Sequence, residues 1–186
     1  MRKFTYLLWS LFSLGIAFLI CYIFSFFQKY YPFDGFIFAI QIHFLMMAWM
    51  AIVMDYLKVK EITVKYFESQ SFEKGGRIYE WIGVNFFRRL LVLIGWEKVT
   101  NRMNPIIKKD LNVLITREKN TKSGELAHLM IFIIILIVIP FITNSLEEAK
   151  WLLITNVIFH FYPVCLQRYN RPKYRKVISL MQNRRT

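Results

Sequence analysis

Long charge-free apolar blocks separated by basic stretches set the pattern of this chain, and the blocks have the length of membrane crossings. The first, residues 5–27, follows Arg2 and Lys3 and contains no charge, so as a helix it is long enough to span about 30 Å of hydrocarbon. It is expected to stay uncleaved, because no small-x-small pattern precedes Gln28. A turn at 28–35, with Tyr30, Tyr31, Pro32 and Gly35, sends the chain back through a second run, 36–54, that is apolar except for Gln41 and His43. A third run, 126–143, carries Pro140 near its far end, where a kink is expected. An acidic turn at Glu147 and Glu148 leads to a fourth, shorter run, 151–166, which includes Asn156 and His160. The expectation is an all-α polytopic membrane protein of about four transmembrane helices, a single membrane domain over residues 1–186.

Between the second and third runs lies a basic segment, 55–125, that is not filler. Trp81, Ile82, Val84, Phe86, Phe87 and the run 90–94 require burial, while Arg88 and Arg89 in their midst argue against another span. A helix at the head-group level, or buried against the bundle, meets both demands.

Charge then orients the chain. Of 25 Lys and Arg, 23 fall before the first run, in segment 55–125 or in the tail 167–186, and two fall in the short turns. The positive-inside rule places both termini and the long segment in the cytoplasm. The net charge of +13 would suit nucleic acid on a soluble surface, but these cations flank apolar runs. They are assigned to topology and to anionic lipid head groups, with no nucleic-acid partner. A mean hydropathy of +0.36 and 56% hydrophobic residues exclude an ordinary soluble domain. Cys21 and Cys165 sit in apolar runs with no His or Cys at ligand spacing, so neither a metal site nor a disulfide framework is expected.

Two clusters carry candidate chemistry. At 100° per residue, Asn156, His160, Gln167 and Arg171 lie at about 0°, 40°, 20° and 60°, one polar stripe on a helix otherwise suited to lipid. The stripe either hydrogen-bonds neighbouring helices and ends in a wet anchor, or lines a pocket that Pro163 helps to open. Glu125 and His128, three apart at the mouth of the third run, share a face. They form either a salt-bridged helix start with Ser123 as cap, or a carboxylate-oriented base. Counted from the run ends, His160 lies about 9 Å deep and His43 about 17 Å, which sets His43 apart as a packing or hydrogen-bonding residue. Hydrolase elbows, phosphate-binding Gly loops, zinc motifs and the His-x-x-x-x-Asp box are absent.

The stretch Gln167-Arg168-Tyr169-Asn170-Arg171-Pro172, preceded by Gly124-Glu125-Leu126-Ala127-His128, resembles the bacterial glycosyl-4,4'-diaponeurosporenoate acyltransferases, which finish a staphyloxanthin-type carotenoid. Phe72-Glu73-Lys74-Gly75, with Arg77 and Tyr79, is similar to a further pattern of that family. The resemblance implies a bacterial cell-membrane enzyme that moves a fatty acyl group from a cytosolic thioester such as acyl-CoA to a hydroxyl of a membrane glycolipid, with no bound cofactor. Under it, His128 or His160 is the base and Glu125 its orienter. Asn156, Gln167, Arg168, Asn170 and Arg171 are the substrate-binding set, with Gln167, Asn170 and Arg171 holding the carbonyl or the donor phosphates. The rival expectation is a non-enzymatic module that binds lipid or partner helices through its basic tail.

Overall fold

A computed structural model of the chain describes residues 35–61, 64–96, 98 and 110–184, with Leu8, Ser10, Leu11 and Gly15. The expected span at 5–27 and turn at 28–35 otherwise lie outside the described residues. Every described element is helical. These are α1 (Phe36–Tyr56), three short 3-10 turns ending at Ser71–Gly76, α2 (Arg77–Trp81), α3 (Val84–Leu93), α4 (Leu111–Ile142), α5 (Leu146–Asn156), a π turn (Val157–Phe161) and α6 (Tyr162–Asn183). Three helices are long and apolar enough to cross a membrane: Phe36–Tyr56, Leu111–Ile142 and the continuous Leu146–Asn183.

The second run therefore folds nearly as its apolar pattern indicates. The third does not begin at Ser123. Asp110 accepts from the N–H of Asn112 at 2.9 Å, so α4 starts there, and Ser123 is interior rather than a cap. Nothing between Leu111 and Lys122 breaks a helix, since that stretch has neither Gly nor Pro. Pro140 is accommodated in the last turn before Ile142. Likewise the fourth run does not stop at Leu166, and the basic tail continues it as helix to Asn183.

The chain divides into two compact units, Met1–Val59 with Leu126–Phe161, and Lys60–Glu125 with Tyr162–Thr186. In the first, α1 and α5 pack together, with Phe36 edge-on to Trp151 at 5.1 Å. Ile131, Ile135 and Ile139 of α4 are buried at four-residue spacing, while Ile133, Ile137 and Phe141 are exposed. A helix apolar on all sides, with its exposed faces as oily as its buried one, is what hydrocarbon solvates. Ser145 caps α5 by accepting from the N–H of Glu148 at 3.2 Å, and Glu147 and Glu148 favour its positive end.

In the second unit, Lys74, Gly75 and Gly76 take φ of 48°, 65° and 99° in succession, a left-handed reversal that launches α2. A side chain at Gly76 would meet the Tyr169 ring at 3.3 Å. Tyr169 is fixed there because its hydroxyl donates to Glu80 at 2.8 Å. Buried Phe87 of α3 stacks on Tyr162 at 5.2 Å, whereas Phe86, Leu90 and Leu93 form an i, i+4, i+7 stripe left 74%, 37% and 83% exposed. One face of α3 thus meets the expected burial against protein, and another remains apolar and open, as a helix at head-group level requires.

Replacing Gly76 with Ala is expected to destabilise the second unit by about 1–2 kcal/mol from backbone conformation alone, with the Tyr169 contact adding to it. Thermal unfolding in detergent checks this, and Gly75→Ala, which meets no neighbour, is expected to cost less.

Candidate functional site

Three imidazoles from three helical segments converge inside the first unit. His43 of α1 faces Thr155 of α5 through Nε2 at 2.8 Å, and its Nδ1 faces Nε2 of His160 at 2.9 Å. Nδ1 of His160 in turn faces Nδ1 of His128 at 3.1 Å. The Thr155 hydroxyl sets the direction of this wire. It donates to the carbonyl of Trp151 at 2.6 Å, so it accepts from His43. His43 then accepts at Nδ1 from His160 Nε2–H, and His160 accepts at Nδ1 from His128 Nδ1–H. With one proton per bond all three rings are neutral, the form that hydrocarbon tolerates. In this arrangement the remaining lone pair of the wire falls on His128 Nε2, and the Phe159 carbonyl is a further hydrogen-bond partner of that ring. Both nitrogens of His160 point to different imidazoles, so the rings do not close on a common point, and the described residues contain no group able to hold a metal.

The π turn explains how His160 reaches this place. In an α-helix the N–H of residue 163 would donate to the carbonyl of Phe159, and Pro163 has none. The preceding turn closes instead with wider bonds that insert one residue into the repeat. A uniform 100° per residue therefore fails across 157–161, and the expected single stripe divides. Asn156 and His160 belong to the first unit, where Asn156 Nδ2 donates to the carbonyl of Phe132 at 3.1 Å. The Asn156 Oδ1, wholly buried, has no hydrogen-bond partner among the described residues.

Gln167, Arg168, Asn170 and Arg171 belong to the second unit, and there the two arginines are engaged by carboxylates. Arg168 donates from Nη1 to Glu125 Oε1 at 2.6 Å and from Nε to Glu73 Oε1 at 2.6 Å. Arg171 gives Nη2 to Glu125 Oε2 and Nε to the Thr121 hydroxyl at 2.9 Å. Each guanidinium also lies over a ring, Tyr66 at 5.0 Å and Phe67 at 5.1 Å. Glu73 completes the network by accepting from Tyr79 Oη at 2.5 Å and from the N–H of Gln70 at 2.8 Å. Burial would raise its carboxyl, but the hydrogen bonds from Tyr79, Arg168 and Gln70 outweigh this and hold it below 4.5. The Tyr66 hydroxyl is pushed up to about 12, first by burial and then by the Glu125 carboxylate.

Two expectations are corrected here. Both oxygens of Glu125, expected to orient His128, are engaged by guanidinium groups of α6. Arg168 and Arg171 are likewise internal partners rather than open anion ligands. Gln167 and Asn170 do face open space, lining a cavity of about 560 Å³. The sequence reading missed His43, Thr155, Glu73 and Tyr79 as members of these clusters. Depth separated His43 from His160 because each was counted from the end of its own apolar run, and the end of an apolar run does not fix how two helices sit side by side. Glu73 and Tyr79 did have a signal, since both stand in the family-like stretch that begins at Phe72.

A family model described as glycosyl-4,4'-diaponeurosporenoate acyltransferase matches residues 63–180. The chain belongs to this family. The matched region contains Glu73, Glu125, His128, His160, Arg168 and Arg171, that is, the whole ionic network and two of the three imidazoles. Membership supports a transferase of carotenoid biosynthesis in a membrane. No curated protein and no solved structure matches the chain.

Glu125→Gln leaves two buried guanidinium groups short of charge and is expected to cost about 3–5 kcal/mol. Glu118→Gln, whose partner Arg175 is 39% exposed, is expected to cost less than Glu125→Gln. Chemical denaturation of the two variants checks the contrast. Acid tests Glu73 separately. With its folded pKa below 4.5, its contribution is complete above about 4.5 and is lost as pH falls through the folded value. The acid limb of a melting-temperature profile is expected to flatten in Glu73→Gln.

Proposed function

We propose that this protein is an O-acyltransferase that moves a fatty acyl group from a thioester donor to a hydroxyl of a membrane glycolipid such as a glycosylated carotenoid. The family supplies the transfer chemistry. The observation that carries the mechanism is the three-imidazole wire that ends at His128. A hydroxyl attacking a thioester must lose its proton, and water is scarce in hydrocarbon. His128 Nε2 takes that proton, and the wire moves positive charge through His160 and His43 toward Thr155. The acceptor oxygen bonds to the acyl carbon, the carbon–sulfur bond breaks, and the proton returns to the departing thiolate. Asn156 Oδ1, an acceptor without a partner, holds a hydroxyl of the incoming glycolipid.

The orientation in this reading follows the lysines and arginines, with both termini cytoplasmic in a bacterial cell membrane and the basic tail near anionic head groups. The donor is a cytosolic thioester such as acyl-CoA, and no resident cofactor is required.

The test is transfer of labelled acyl group from acyl-CoA to extracted glycolipid by the purified protein in nanodiscs. His128→Ala and His160→Ala are expected to lower kcat by about 10²–10⁴-fold in folded protein, with a smaller loss in Thr155→Val. Wild-type rates in both histidine variants would remove the base assignment. Absence of transfer to any extract by folded wild type would leave a lipid-binding module.

A further inference from the structure

The second unit contains a cavity whose lining meets the ionic network only at Thr121, and its chemistry is specific. Arg88 and Arg117 stand on its wall, and among the described residues that line it there is no carboxylate. This distinguishes it from the region around Arg168 and Arg171, where Glu73 and Glu125 neutralise the guanidinium groups. Arg88 is exposed and no carboxylate pairs with it among the described residues. The amides of Asn120, Gln167 and Asn170 add neutral donors and acceptors, and Trp96 and Tyr174 add flat aromatic surface. The remaining wall is Thr121 and the aliphatic Leu91, Val92 and Leu166. At about 560 Å³ the space lies within the range of about 300–1,000 Å³ usual for small-molecule sites and exceeds the needs of a single inorganic anion.

From this lining we infer that the cavity binds the phosphorylated end of the acyl donor, a coenzyme-A-type thioester. The Arg88 guanidinium takes the phosphates, Trp96 or Tyr174 stacks against the adenine, and the amides pair with the pantetheine chain. The inference rests on the acyl-transfer reading for the word donor, but the anion-and-aromatic chemistry of the cavity stands on its lining alone. An anionic lipid head group presents the same phosphate without the heteroaromatic ring. The aromatic and amide surfaces favour the nucleotide, and the experiment separates the two.

The measurement is equilibrium binding of radiolabelled coenzyme A to the full-length protein in phosphatidylcholine nanodiscs. Saturable binding that weakens with added salt is expected, and pantetheine, which lacks the phosphates, should compete far less well. Arg88→Ala is expected to raise Kd about tenfold or more. Arg89→Ala, the adjacent exposed cation outside the lining, is expected to change it by no more than about twofold. No saturable binding, an unchanged Kd in Arg88→Ala, or displacement of coenzyme A by phosphatidylglycerol in the nanodisc would each overturn the assignment, the last in favour of a lipid site. If coenzyme A binds as expected yet no acyl group moves, the site stands and the transfer reading falls. If acyl-CoA is used with a KM that Arg88→Ala leaves untouched, the transfer reading stands and this site falls.

Discussion

One buried carboxylate governs the second unit. Glu125 has no solvent exposure, and its two oxygens each meet a different arginine of α6, Arg168 and Arg171. Removing such ions from water costs several kcal/mol apiece, which only close pairing and saturated hydrogen bonding can offset. The structure supplies both, through Glu73, Tyr79, Thr121 and the rings of Tyr66 and Phe67. Segments far apart in sequence are thereby bound to α6, and the left-handed turn at Lys74–Gly76 is stationed beside the Glu73 carboxylate that requires it. A hydrophobic core of the same size would tolerate small shifts of these segments, but a network of directed charges does not.

The first unit is organised by a different constraint. Between helices in lipid, burial of apolar surface offers little preference for one neighbour over another, since the surroundings are equally apolar. Directed polar contacts, each worth about 0.6–2 kcal/mol, then select the partner. His43, Thr155, His160 and His128 are those contacts, and Asn156 adds one to the backbone of Phe132. The residues that hold the helices in register are also the ones able to carry a proton. Structural and chemical roles coincide in this unit, while in the second the arginines that sequence reasoning assigned to substrate serve the fold.

Much of this was legible from the chain. The apolar run at 36–54 folds as a helix long and apolar enough to cross a membrane, and the family stretches around Glu73, Glu125 and Arg168 marked residues that belong together. Their roles were not legible, because an arginine that holds a phosphate and one that neutralises a buried glutamate look alike in sequence. The start of α4 was also not legible, since Ser123, offered as a possible cap, lies inside the helix. Hydropathy reports where lipid would end, and a helix continues past that point for as long as its backbone meets no breaker. The pairing of His43 with His160 depended on the orientation of one helix against another, which spacing along either does not contain.

The π turn at Val157–Phe161 also changes how kinship should be traced through this chain. Inserted residues of this kind are gained and lost as single steps, each rotating everything downstream by about a quarter of a turn or more. A homologue lacking one residue here would keep its hydropathy profile and both flanking motifs, yet present a different side chain where His160 stands. Alignments through 157–161 are therefore best anchored on Asn156 and Pro163 separately, with the gap placed between them. Ancestry would then be inferred from which side chain occupies the imidazole position rather than from similarity counted along an unbroken helix.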